Sequence, residues 1–164
     1  MSPQVRDATE ADLQAVAEIY AYESLHSYST FETEARPPST WREKLLGRYP
    51  FLVADEGGAV LGFAYGSQFR DRPAYHRTVE TSVYLRRDAR GRRLGSALYD
   101  ALLTRLVRDG FHTALALIAL PNDASVRLHE RAGFGHAGTL VEVGDKQDRM
   151  IDVGIYQRLL AEGP

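Results

Sequence analysis

The chain predicts an α+β or α/β fold around one mixed sheet. Strand-like alternation recurs along it, two amphipathic helical stretches interrupt that alternation, and neither a cysteine framework nor a membrane-length apolar run suggests another class. With 164 residues, 44% of them hydrophobic, it reads as a single domain over residues 1-164. A chain of this size buries roughly 70% of its unfolded surface.

Residues 3–8 read as a first strand, and Thr9-Glu10-Ala11-Asp12 as the capped start of a helix through Leu13, Val16, Ile19 and Tyr20. Residues 24–38 form a polar and aromatic loop with His26, Tyr28 and Phe31, a length that in compact domains often carries function. Ser39 or Thr40 then caps a short helix bearing Trp41, Leu45 and Leu46. Residues 51–54 and 60–69 make a hairpin about Gly57-Gly58.

The strand at 79–85 alternates strictly, with Val79, Thr81, Val83 and Leu85 on one face and Thr78, Glu80, Ser82 and Tyr84 on the other. Leu94, Leu98, Ala101, Leu102 and Leu106 recur at three and four residues, which predicts a helix to about Arg108. An apolar strand follows at 113–118. Asn122 or Asp123 then caps a short helix stopped by Gly133, and strands near 136–143 and 150–156 complete the order.

The stretch between strand and long helix holds Arg86, Arg87, Arg90, Arg92 and Arg93, with Gly91 and Gly95 among them. A helix N-terminus offers free N–H groups, glycine lets a ligand approach the backbone, and arginine presents forked donors, so a pyrophosphate is the natural guest. A solvated surface run is the alternative. Nucleic acid is disfavoured by a net charge of -2 and by the lack of an aromatic among these arginines. Neither G-x-x-x-x-G-K-[ST] nor G-x-G-x-x-G is present, and no ligand set for a metal stands out. On the short helix Ser125, His129 and Ala132 share a face. His129 taken alone reads as a surface or hydrogen-bonded core residue rather than a catalytic one.

Taken together, Arg90-Gly91-Arg92-Arg93-Leu94-Gly95 and Asn122, Ser125, Leu128, His129, Gly133 and Phe134 resemble the two signatures of the GNAT superfamily of N-acetyltransferases. The first signature is R/Q-x-x-G-x-G/A, and Arg93 stands where the family usually has glycine. Residues 78–84, 95–99, 120–130 and 144–157 are similar to the phosphinothricin N-acetyltransferase branch. That branch commonly shows G-x-K-x-G-x-W-x-D-V, where this chain has Asp148 for the glycine and Met150 for the tryptophan.

The resemblance implies a mostly antiparallel sheet of six to seven strands flanked by about four helices, and acetyl-CoA as cofactor. The cofactor would lie against Val83, Tyr84 and Leu85, the loop Arg90, Gly91, Arg92 and Arg93, the helix start Leu94, Gly95 and Ser96, and the later Asn122 and Ser125. The implied reaction moves the acetyl group from thioester to primary amine through a tetrahedral intermediate. An ammonium must first lose a proton. Glu80 is the candidate base, with an ion pair to arginine as the alternative. Raising a glutamate from about 4.3 to about 7 takes roughly 3.7 kcal/mol of differential environment. His129 would give the departing thiolate a proton or a hydrogen bond.

A small amino-acid analogue such as phosphinothricin or methionine sulfoximine is the implied substrate. Arg72, Tyr75, His76 and Arg77 are candidates for its acidic groups, and Tyr28 and Phe31 for its pocket wall. A homodimer in the cytoplasm, without membrane contact, is expected. A peptide N-acetyltransferase or a noncatalytic acyl-CoA-binding module are the other readings.

Overall fold

The computed structural model describes residues 2–160; residue 1 and residues 161–164, the ends of the expected domain, lie outside them. Seven strands and four α-helices form among the described residues in the order β1 (Gln4–Asp7), α1 (Leu13–His26), α2 (Ser39–Leu46), β2 (Phe51–Glu56), β3 (Ala59–Gln68), β4 (Thr78–Leu85), α3 (Leu94–Arg108), β5 (Thr113–Leu120), α4 (Asp123–Arg131), β6 (Gly135–Lys146) and β7 (Arg149–Leu159). They build one sheet in the order β1-β2-β3-β4-β5-β7-β6. Every neighbouring pair is antiparallel except β4 and β5.

That parallel pair positions the site. β4 stays registered with β3 from Val79 to Leu85, and β5 stays registered with β7 from Thr113 to Leu120. Between β4 and β5 the register covers only Thr78 with Thr113, Val79 with Ala114 and Glu80 with Leu115. Beyond Glu80 the sheet splits into a fork, with Glu80 at its apex.

Each face of the sheet has its own core. The alternation along β4 sends Val79 toward α3, where Leu98, Tyr99, Leu102 and Leu106 are fully buried. The opposite face packs Val53, Phe63 and Tyr65 against Val16 of α1 and Trp41 of α2. Fully burying one such aliphatic side chain contributes about 1.5–3 kcal/mol, so both helical layers are fixed to the sheet by several such contacts.

The last hairpin is longer than its apolar pattern predicts, since the strands run through the charged residues Asp145, Lys146 and Arg149. The turn is only Gln147-Asp148, both at φ +56°. Two successive left-handed residues give a tight turn whose twist matches the strands, so pairing continues to its edge. Lys146 reaches back from this hairpin and donates to the carbonyls of Thr30 (2.7 Å) and Glu23 (3.4 Å).

Candidate active site

The fork opens into a cleft of about 460 Å³ whose walls include Val83, Tyr84, Leu85, Leu94, Gly95, Ser96, Asn122, Ser125 and His129. Arg86 donates its N–H to Leu61 of β3 (2.8 Å), whereas the Arg77 carbonyl accepts from His112 on the β5 side (2.8 Å). Backbone direction alternates along a strand, so the N–H groups of Thr81, Val83 and Leu85 point toward β5. Thr81 is taken up by the Glu80–Leu115 pairing, whereas Val83 and Leu85 lie beyond the β4–β5 register and offer their N–H groups to a ligand in the fork.

At the far end of the cleft α3 begins. Arg93 is its N-cap residue at φ +61°, no side chain caps the helix, and the first bond into the turn is Ala97 N–H to Arg93 O. The N–H groups of Leu94, Gly95 and Ser96 are therefore free for an anion. Gly91, at φ +79°, opens the loop with no atom near its missing Cβ. A Cβ on Gly95 would lie 3.2 Å from Leu128 Cδ2, so glycine there lets α3 approach α4. Asn122 Oδ1 accepts from Ser125 N–H (3.1 Å), which leaves its amide NH₂ on the cleft wall. A phosphate-bearing ligand with an extended amide arm fits this set, and acetyl-CoA has that form.

The arginines do not form the expected open cradle. Arg90 is paired with Glu23 (2.6 Å), Arg92 with Glu56 (2.6 Å) and Arg86 with Asp88 (2.6 Å). Arg87 lies over the Tyr22 ring and reaches its hydroxyl. Among the described residues, Arg93 alone of the five has neither a carboxylate nor a ring partner, and it lines the cleft. Glu23 is 4% exposed and also accepts from Ser27 Oγ (2.5 Å). It was invisible in the sequence, where it is one of two acidic residues, with Glu18, in a largely apolar helix.

His129 lies on the α3 side of the sheet, buried among Tyr99, Phe134 and Tyr156. Its Nδ1 is 2.7 Å from the Ser125 carbonyl, an obligatory acceptor, so Nδ1 carries the hydrogen. Nε2 then accepts from the Tyr99 hydroxyl (2.7 Å), which is 3.1 Å from Thr81 Oγ1. Burial pushes the His129 pKa below the ordinary histidine value. The imidazole is neutral with both nitrogens occupied, and it holds a hydrogen-bonded chain along the cleft wall.

Glu80 faces the other side of the sheet, toward α2. Burial raises its pKa above the ordinary glutamate value, while the charges of Arg70 and Lys44 oppose that rise. No ion pair forms on it among the described residues, unlike the arginine-paired alternative. The same side holds a cleft of about 780 Å³ lined by Lys44, Arg70, Arg72, Tyr75 and His76 among others. Sequence reasoning found Arg72, Tyr75 and His76 but passed over Lys44 and Arg70. Arg77 lies elsewhere, its Nε donating to Gly110 O (3.1 Å), because the next strand begins there and turns the side chain toward the α3–β5 loop. Tyr28 and Phe31 line neither cleft. Tyr28 donates to Pro121 O (2.7 Å) beneath Arg149, and Phe31 packs on Gly144, where a Cβ would fall within its ring's contact distance. Both side chains hold the last hairpin.

Comparison with known proteins agrees with this geometry. The acetyltransferase (GNAT) family model matches residues 14–134, and the chain belongs to that family of acyltransferase enzymes. A phosphinothricin N-acetyltransferase of Streptomyces viridochromogenes is 42% identical over 166 residues, covering 96% of this chain and 91% of that protein. An L-methionine sulfoximine/L-methionine sulfone acetyltransferase of Pseudomonas paraeruginosa is 36% identical over 162 residues, covering 96% and 94%. The crystal structure of a phosphinothricin acetyltransferase from Sinorhizobium meliloti in complex with acetyl-CoA superposes with a TM-score of 0.94 at 38% identity, covering 99% of this chain and 91% of that one.

Proposed function

We propose that this chain acetylates the primary amine of a small amino-acid-like molecule, of the phosphinothricin or methionine sulfoximine type, with acetyl-CoA as the donor. The observation that carries the reading is the position of Glu80: the last residue of the β4–β5 register, at the apex of the fork and within electrostatic reach of Lys44 and Arg70, two cations of the basic cleft. The activities of the relatives support it.

Bound acetyl-CoA supplies a thioester carbonyl open to attack. Glu80 takes the proton of the substrate ammonium, directly or through one water, and its raised pKa brings it nearer the working pH, where a general base is most effective. The N–H groups of Val83 and Leu85, aimed into the fork, donate to the carbonyl oxygen as negative charge grows there. Leu94, Gly95 and Ser96 hold the phosphates with their N–H groups, and Arg93 adds its charge. The Asn122 amide steadies the ligand's arm. The amine nitrogen bonds to the carbonyl carbon, and collapse of the tetrahedral intermediate breaks the carbon–sulfur bond and releases coenzyme A thiolate, which takes a proton from water; His129, neutral, keeps Tyr99 and Thr81 in place and contributes hydrogen bonds rather than a proton.

The whole chain acts as one domain in this reading, and the cytoplasm, where acetyl-CoA is available, is its compartment. A homodimer would cover the exposed Leu140, Val141 and Val143 of edge strand β6.

The chain has no cysteine, so a thiol reagent reports only released coenzyme A. With acetyl-CoA and a panel of phosphinothricin, methionine sulfoximine, ordinary amino acids, polyamines and peptides, release is expected for the amino-acid analogues. Release from no amine above the hydrolysis control overturns the reading, and release from peptides alone replaces it with the peptide reading.

A further inference from the structure

The cleft beside Glu80 carries more positive charge than its own carboxylates neutralise. Of its cations, Arg36 is tied to Glu32 (2.5 Å), and Arg48 donates to the His76 carbonyl (2.9 Å) and lies over Tyr49 and Phe111. Lys44, Arg70 and Arg72 belong to none of the ion pairs among the described residues, although Glu43 and Asp71 also line the cleft. One guanidinium fork suffices for an α-carboxylate. Cationic capacity remains after that.

Lys44 differs from the two arginines in how it is held. It projects from α2 with its ammonium 4.0 Å over the centre of the Tyr65 ring, half-buried, on the face of the sheet that carries Glu80. Tyr65 pairs across β3 and β4 with Ser82, two residues beyond Glu80. A ring face fixes the position of an ammonium without neutralising it. Burial lowers the affinity of Lys44 for its proton, and the charge of Glu80 opposes that effect. A partly desolvated cation without a carboxylate is costly until an anion arrives.

We propose that Lys44 is a specificity-determining residue that receives a second acidic group, carried on the side chain of the amine substrate. This chain therefore prefers amino acids with an anionic side chain, such as a phosphinate or carboxylate, over neutral sulfones of similar shape. The inference rests on the acetyl-transfer reading above and narrows its substrate class.

Phosphinothricin and methionine sulfone separate the two cases, being alike in length while only the first carries a side-chain charge. In the thiol-release assay at saturating acetyl-CoA, wild-type kcat/KM is expected to favour phosphinothricin by about tenfold or more. Lys44→Met should remove most of that preference through a higher KM for phosphinothricin, leaving the KM for methionine sulfone and for acetyl-CoA within about twofold. Lys44→Arg should keep the preference. Equal treatment of both substrates by wild type, or an equal loss on both in Lys44→Met, overturns the proposal. If neither is turned over, the acetyl-transfer reading has failed for them. Calorimetric binding of the two compounds to the coenzyme A complex then decides the Lys44 assignment, by whether Lys44→Met weakens phosphinothricin alone or neither.

Discussion

On the α3 side of the fork the loop arginines other than Arg93 are already engaged, Arg90 with Glu23 and Arg92 with Glu56 among them, and the surface left for a ligand is chiefly backbone N–H from β4 and the first turn of α3. On the α2 side the reverse holds. Lys44, Arg70 and Arg72 have no carboxylate partner among the described residues, and the strand beneath them is fully paired with β3. One side recognises by shape and backbone hydrogen bonds, the other by side-chain charge. Backbone recognition is tolerant of side-chain change and suits an unvarying co-substrate, whereas charges on α2 and the β3–β4 connection can change without disturbing the fork. Glu80 is the point at which the two systems meet.

Replacing that meeting point should have the largest effect. Glu80→Gln is expected to lower kcat at neutral pH by about 10²–10⁴-fold, the usual worth of a general base, while calorimetry finds acetyl-CoA affinity unchanged. The same variant should be more stable than wild type at high pH. Burial raises the Glu80 pKa, so the folded state holds that proton more tightly than the unfolded one. Its favourable contribution is present below the unfolded value and is lost as pH rises through the folded value. A melting temperature for Glu80→Gln above wild type at about pH 8, converging toward about pH 4 where unfolded glutamate protonates, bears this out.

The Glu23–Arg90 pair tests whether the α3 side relies on loop geometry rather than on free arginines. Glu23→Gln frees Arg90 but loosens the loop. Acetyl-CoA KM should rise several-fold with kcat unchanged, and stability should fall by about 1–2 kcal/mol, a buried-pair loss discounted because Arg90 is half exposed. A lower KM would mean that a free guanidinium is the better phosphate ligand, and would break the contrast between the two sides.

His129 predicts a smaller, pH-dependent effect. Its folded pKa is depressed, so its contribution to stability is present above the unfolded value of about 6.5 and is lost as pH falls through the folded value. The melting temperature should decline as pH drops below about 6.5. A flat profile down to about pH 5, the level at which side-chain carboxylates begin to titrate, would contradict the neutral imidazole.

Arg93 gives the smallest change. A non-glycine residue in the left-handed region costs roughly 1–2 kcal/mol, partly offset by the greater unfolded freedom of glycine. Arg93→Gly, at φ +61°, should therefore raise the melting temperature by about 2–4 °C or less. Its acetyl-CoA KM should stay within a few-fold, as the N–H groups carry the binding.

The same contrast decides what could be read from the chain. Backbone recognition needs particular residues at fixed spacing, so Gly91, Gly95 and the Asn122 cap stand out, and with them the strand, loop and helix they join. The alternation that placed Glu80 opposite Val79 and Thr81 also assigned them to different faces. Arg72 was legible as a candidate cation, but Lys44 and Arg70, the charges that act on Glu80, were not, because they come from a helix and a loop brought together only by the sheet. Arg77 looked equivalent to Arg72 until the path of β4 turned it away. The arginines of the loop were legible as charge, but their pairing with Glu23, Glu56 and Asp88 depends on residues distant in sequence or on local turns that spacing does not reveal.

The division of labour between the two sides is tested most directly by titrating acetyl-CoA calorimetrically into wild type and into the triple variant Lys44→Met, Arg70→Met, Arg72→Met, with circular dichroism confirming the fold of both. An acetyl-CoA Kd unchanged within about twofold is expected, a difference under about 0.5 kcal/mol, alongside loss of saturation by the amine. An acetyl-CoA affinity reduced by about tenfold or more, with the fold intact, would contradict that division of labour.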